Sequence, residues 1–152
     1  MSDAPLSLMW FQRAEAGDPV AQFNLGYCFE MGQGTPVDHE SAFRWYLRAA
    51  KQGYPRAQYH VGLAYSYGGQ GVDWDLTEAC KWLILAAKHG IREAEELLRH
   101  SQLPAESRLL GEQAAKLFQP RPEPRKAIAC NPEMILPPPA GTGSATQLGL
   151  GF

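Results

Sequence analysis

The sequence predicts an all-α fold, an α/α superhelical solenoid in which helical pairs stack side by side through glycine turns. Three observations carry this. Residues 20–34, VAQFNLGYCFEMGQG, return at residues 56–71 as RAQYHVGLAYSYGGQG. Each copy leads into a second shared segment, SAFRWYLRAAKQG at 41–53 and EACKWLILAAKHG at 78–90, so the repeating unit is two helices long. The pattern also recurs at a near-constant spacing: Ala21, Leu25 and Gly26 return 36 residues later as Ala57, Val61 and Gly62, and Ala57 returns 37 residues later as Ala94. One such pair cannot bury its own apolar face. Neighbours must stack, and the surface of the stack is what remains for a partner.

The elements follow in order from this register. Trp10, Ala14 and Gly17 fall one period before Tyr46, Ala50 and Gly53, so residues 5–17 form a partial leading repeat that keeps only its second helix. The first full repeat covers 18–53. Asp18 can cap a helix begun by Pro19, whose missing N–H costs nothing in a first turn, and Gly53 closes the second helix where a left-handed residue is wanted. The second full repeat covers 54–90. It opens at Pro55, absorbs one extra residue where GQG becomes GGQG, and restarts at Asp75, whose spacing to Glu78 is that of a capping box. An insertion confined to a glycine turn leaves helix packing undisturbed. A degenerate capping repeat fills 91–118: Glu93, Glu95 and Glu96 make an acidic helix start, Glu96 and His100 stand where earlier copies are apolar, and Pro104 begins a last helix. Gly111 inside that helix predicts a weak, mobile end. The repeat domain is thus 1–118, with seven helices.

Gly26 and Gly62 lie within helices, at a cost of about 1 kcal/mol each relative to alanine. Close helix contact is the expected offset: Ala49, Ala50, Ala86 and Ala87 let backbones approach while Trp45 and Trp82 fill the space between layers.

At these residues the chain resembles the Sel1-like repeat family, a relative of the tetratricopeptide repeats. The family pattern A-x-x-x-L-G-x-x-[YF]-x-x-G-x-G-x-x-x-D-x-x-x-A-x-x-W-[YL]-x-x-A-A-x-x-G is satisfied at every stated position from Ala21 to Gly53. The second copy departs only at Val61 and by the added turn glycine. The resemblance implies a scaffold or adaptor for protein complexes, including in bacterial signalling and protein quality control. Some secreted relatives carry one cysteine pair per repeat. Cys28, Cys80 and Cys130 do not follow that arrangement.

Composition limits the partners. The 152 residues carry a net charge of −2 with no basic stripe along any helix, which argues against nucleic acid and anionic membranes. Asp3 stands where a signal peptide would be positive, no segment is long enough to span a bilayer, and three cysteines at unrelated spacings suit a reducing compartment, so a cytoplasmic location is expected. From about Gln119 the composition shifts. Seven of the twelve prolines lie in 119–152, a stretch with little to bury, which predicts a disordered tail with Pro137 to Pro139 locally extended. Arg121, Arg125 and Lys126 are candidates to meet an acidic surface, and Leu150, Gly151 and Phe152 to add to a partner's sheet.

Catalytic constellations are thin. His39-Glu40 lacks a second histidine four residues on, and Cys28, His60, Cys80 and His89 lack zinc-finger spacing, so neither a metal nor another cofactor is expected. The glycine runs lack a preceding strand and the lysine and hydroxyl of a phosphate loop. The more informative pattern is a second stripe on the first helix of each repeat. Opposite Ala21, Leu25 and Phe29 stand Phe23, Tyr27 and Met31, and the next copy has Tyr59, Leu63 and Tyr67. Phe23 and Tyr59 are expected to pack between layers. Asn24, Tyr27, Met31, His60, Leu63 and Tyr67 are the candidate groove for a protein or peptide on the concave face. A monomeric adaptor without chemistry is the leading expectation. The alternatives are an enzyme using His60 and Cys80 in the same groove, and a self-association module.

Overall fold

The computed structural model describes residues 6–69 and 71–126. Among the described residues seven α-helices follow one another: α1 (Leu6–Glu15), α2 (Pro19–Met31), α3 (His39–Lys51), α4 (Pro55–Tyr67), α5 (Leu76–Lys88), α6 (Arg92–His100) and α7 (Ala105–Leu117). Each of α1 to α5 packs on the next, and α7 folds back against α5. This is the all-α solenoid of helical pairs that the repeats predict.

Local chemistry sets the helix ends. Asp18 accepts the Val20 N–H at 3.1 Å ahead of Pro19, and Asp75 accepts from both Thr77 and Glu78. Gly17, Gly53 and Gly90 adopt φ of 93°, 95° and 89°, the left-handed region that a side chain resists. The inserted residue in the second turn is absorbed locally: Gly69 and Val72 exchange two backbone hydrogen bonds of 2.8 and 3.0 Å. The helices around it keep their register, because Asp38 donates to the Phe29 carbonyl and its counterpart Asp75 donates to that of Tyr65.

Among the described residues, three groups of buried side chains run along the stack. Ala14, Ala21 and Leu25 pack with Trp10 and Trp45 at the leading end. Ala42, Tyr46, Ala49, Ala50, Ala57, Val61, Trp82, Leu85 and Ala115 form the centre. Leu83, Ala86, Ala94 and Leu98 form the far end. The helix-interior glycines are where the backbones meet. A Cβ on Gly26 would lie 2.8 Å from the Tyr46 ring, and one on Gly62 would lie 2.7 Å from Leu83 Cγ, the residue that occupies the place of Tyr46 in the next unit. The two tryptophans are not equivalent. Trp82 is buried in the central group, whereas Trp45 is half-covered, with Phe11 at its edge and the Arg48 guanidinium 4.5 Å above its ring.

Two expectations are corrected. Gly111 does not mark a weak terminus: it is buried, and a Cβ there would meet Cys80, the Lys81 nitrogen at 3.0 Å and the Thr77 carbonyl at 3.1 Å, so it is the contact that lets α7 lie on α5. Nor does the tail start at Gln119. Residues 119–126 run extended across the carboxyl ends of α3 and α1, with Arg121 N–H on the Lys51 carbonyl (2.9 Å) and Lys126 N–H on that of Ala16 (3.0 Å). Composition reports apolar burial alone. This strap is held instead by polar groups, including carbonyls that a helix end leaves without partners, and by Glu123. That carboxylate accepts two bonds from Arg48, at 3.1 and 2.9 Å, and one from Gln22 at 3.0 Å. Hydrogen bonding from Arg48 holds the Glu123 carboxyl below its ordinary range. Arg125 meets an acidic group of its own chain, Asp18, at 3.6 Å. The rest of the tail, including Cys130, Pro137 to Pro139 and the terminal Leu150, Gly151 and Phe152, lies outside the described residues.

Candidate functional site

A cleft of about 290 Å³ opens between α2, α3, α4 and the turn after α4. Glu30 contributes its carboxylate from α2. From α3 come His39, Ala42, Phe43 and Tyr46, and from α4 and its turn come His60, Leu63, Ala64, Tyr67 and Val72. Glu30 is the only charged residue of α2 and sits in its last turn, where the helix dipole opposes a negative charge. Its neighbours offset that cost. The Tyr46 hydroxyl donates to Glu30 Oε2, and His60 Nδ1 lies 3.7 Å from the same oxygen.

Burial, the hydrogen bond to Glu30 and that carboxylate's charge all push the Tyr46 phenol above its ordinary value, so it remains a donor. His60 stands in an aromatic box, its ring centroid 4.6 Å from that of Tyr46, 5.5 Å from Phe23 and 5.7 Å from Tyr59. Burial drives its pKa below the usual imidazole value, against a smaller opposite pull from Glu30, so the ring is neutral at neutral pH. The cleft therefore presents one anionic acceptor with its donor fixed, bounded by Ala42, Phe43, Leu63, Ala64 and Val72. Such a surface matches a cationic group carried beside an apolar one.

Of the six groove residues read from the sequence, His60, Leu63 and Tyr67 line this cleft, with Tyr67 on its rim at 75% exposure. Asn24, Tyr27 and Met31 do not line it. The Asn24 amide is turned onto its own helix, donating to the Val20 carbonyl at 2.9 Å, while Tyr27 and Met31 are exposed on α2. Phe23 and Tyr59 pack between layers as expected, against His60 and their neighbours. Glu30, Phe43 and Tyr46 were not singled out in the sequence. A lone charge on an otherwise uncharged helix was the available signal for Glu30. The other two come from the second helix of the pair, which the stripe on the first helices does not report.

His60 and Cys80 do not share the cleft. Cys80 is fully buried beneath α7, against Gly111. Burial raises the thiol pKa of both Cys80 and Cys28, which lowers the thiolate fraction that reacts. In a Cys130→Ser background, thiol reagent should modify the native chain far more slowly than the urea-unfolded chain. Rapid native modification would restore a reactive-cysteine reading. Among the described residues no cluster of three or more His, Cys, Asp or Glu is placed to hold a metal ion, and no helix is long and apolar enough to cross a membrane.

A stack of helical pairs with an open cleft between successive pairs is the architecture of a repeat protein, consistent with an interaction scaffold. The Sel1 repeat model matches residues 2–18, 19–54 and 55–91, more than half of the chain, and the protein belongs to the Sel1 repeat family. Among curated proteins it is similar to chitin synthase regulatory factor 3 of Schizosaccharomyces pombe, 43% identical over 53 residues that make up 34% of this chain and 6% of that protein. Among solved structures it is similar to a Sel1 repeat protein from Oxalobacter formigenes, with a TM-score of 0.56 and 40% identity over 58% of this chain and 65% of that one. It also resembles c5321, a protective antigen of uropathogenic Escherichia coli with an SLR fold, with a TM-score of 0.66 and 28% identity over 74% of this chain and 24% of that one. The chain spans a small fraction of the length of the curated relative and about a quarter of the antigen.

Proposed function

We propose that the protein is a cytoplasmic adaptor that holds a segment of a partner protein in the cleft between α2, α3 and α4. The partner's cationic group faces Glu30, and an adjacent apolar side chain rests on Leu63, Ala64 and Val72. The observation that carries this is the pairing of a single oriented carboxylate with apolar walls in an open cleft. Tyr67 and Leu63 supply the rim and floor contacts that aromatic and aliphatic anchors use at interfaces.

A phage-displayed random peptide library panned on the protein tests it. Enriched peptides are expected to carry Lys or Arg next to an apolar residue. Glu30→Gln, which keeps an acceptor for Tyr46, should lose that enrichment, and Tyr67→Ala should weaken it with helicity unchanged by circular dichroism. Enrichment of the same peptides on the Glu30→Gln and Tyr67→Ala chains would discard the cleft as the binding site.

A further inference from the structure

The strap over α1 and α3 sits in a polar seat that the repeats build without it. Gln22, fully buried, donates from Nε2 to the Ala14 carbonyl at 3.1 Å, and its Oε1 accepts from Gln52 Nε2 at 2.9 Å. Gln52 Nε2 also donates to the Gly17 carbonyl at 3.1 Å. Arg48 is braced by the Trp45 ring beneath it and by Glu15 at 3.1 Å. Every one of these bonds joins residues of α1 to α3 and of the turns that follow α1 and α3. Three groups are left aimed at one place: the Arg48 fork, the second hydrogen of the Gln22 amide, and the Gln52 carbonyl oxygen.

Glu123 meets all three. Its carboxylate takes Arg48 and Gln22, and its own N–H donates to Gln52 Oε1 at 3.1 Å. The remainder of the strap buries little: of residues 119–126, Glu123 alone is not exposed. Prolines at 120, 122 and 124 remove every other N–H, and the amides at 121 and 123 both find acceptors on the repeats. Prolines also hold the backbone extended, so little chain entropy is lost on docking. Gly17 and Gly53 leave the path clear, since a Cβ on either would come within 3.2 Å of the strap.

The next unit shows which parts are shared by the fold and which are specific to this seat. One period on, Gln58 again ties its helix to the preceding one, donating to the Ala50 carbonyl at 3.3 Å. Leu85 and His89 stand in place of Arg48 and Gln52. There Gln58 Oε1 is buried with no hydrogen-bond partner among the described residues. The buried glutamine is thus a structural tie common to both units, and the carboxylate seat belongs to the first alone.

We propose that Arg48, Gln22 and Gln52 form a receptor for a glutamate carried between prolines in an extended peptide. Residues 119–126 fill it in cis, and a Pro-Glu-Pro segment of another protein competes for it. This surface is separate from the cleft, and neither reading depends on the other.

Fluorescence anisotropy with a labelled synthetic peptide of the sequence QPRPEPRK tests the proposal on the full chain. Glu123→Ala, which empties the seat, should bind the peptide about tenfold or more tightly than wild type, where the strap competes. Adding Arg48→Met should remove the gain. Because Arg48 also braces Trp45, a second arm leaves the protein untouched: the peptide with glutamine in place of its glutamate should bind the Glu123→Ala chain at least about tenfold more weakly. Equal binding of both peptides, or no gain in Glu123→Ala, overturns the proposal. A wild-type dimer seen by light scattering and lost in Glu123→Ala would also overturn it, by making the occupant the strap of a second copy.

Discussion

Trp82→Ala is expected to lower the unfolding free energy by about 3–5 kcal/mol, the cost of emptying a large aromatic site in a packed core. The indole sits at the centre of the array. It packs with Ala49, Ala50, Ala57 and Val61 of the preceding helices and with Ala115 of α7, and Phe118 meets it with ring centroids 5.4 Å apart. Its Nε1 donates to Glu78 at 3.0 Å, so truncation also strips a partner from that carboxylate. The surrounding alanines have no side chain to extend into the void, and the backbone contacts at Gly62 and Gly111 limit collapse. Trp45→Ala should cost clearly less, because that ring is half-covered at the leading end. Urea titrations of the two variants read the difference. A loss below about 1 kcal/mol for Trp82→Ala, the size of an average substitution, would contradict the packing described.

Gly111→Ala is expected to destabilise, reversing the sign that the substitution has in an ordinary helix. Alanine there gains about 1 kcal/mol of helix propensity. Against that, its methyl would enter the space of Cys80 Cβ and of two backbone atoms of α5 that cannot turn aside. Overpacking of this kind costs about 1–3 kcal/mol, and it is relieved only by lifting α7. The variant should therefore show faster amide exchange in α7 and Phe118 while α2 to α4 stay protected. A rise in stability with α7 still protected would contradict the close packing of α7 on α5.

The repeated residues were legible because each serves the same contact twice. Gly26 and Gly62 both lie under the following helix, and Ala49 and Ala86 both vanish from solvent, so the period alone located the stack. What occurs once was harder to read. Glu123 binds Arg48 and Gln22 across most of the chain, and no periodicity or hydropathy links the three. The composition of 119–126 points to solvent because the side chains that anchor it, Glu123 and Arg125, are charged. The stripe of Tyr27, Met31 and Tyr67 lies on α2 and α4, two of the helices that border the cleft, yet helical spacing does not tell which of those side chains turn into it. Glu30 and Tyr46 complete the site only through the crossing of α2, α3 and α4. Gly111 was misread because a glycine in a helix signals either weakness or contact, and only the neighbouring α5 decides which.

The most direct measurement is where a selected peptide lands. Backbone and methyl NMR of the labelled protein, titrated with a peptide enriched on the wild type, should show perturbations gathered on Glu30, Phe43, Tyr46, Leu63, Tyr67 and Val72. Shifts centred instead on the exposed face of α5 and α7, with the cleft silent, would contradict the proposed adaptor surface.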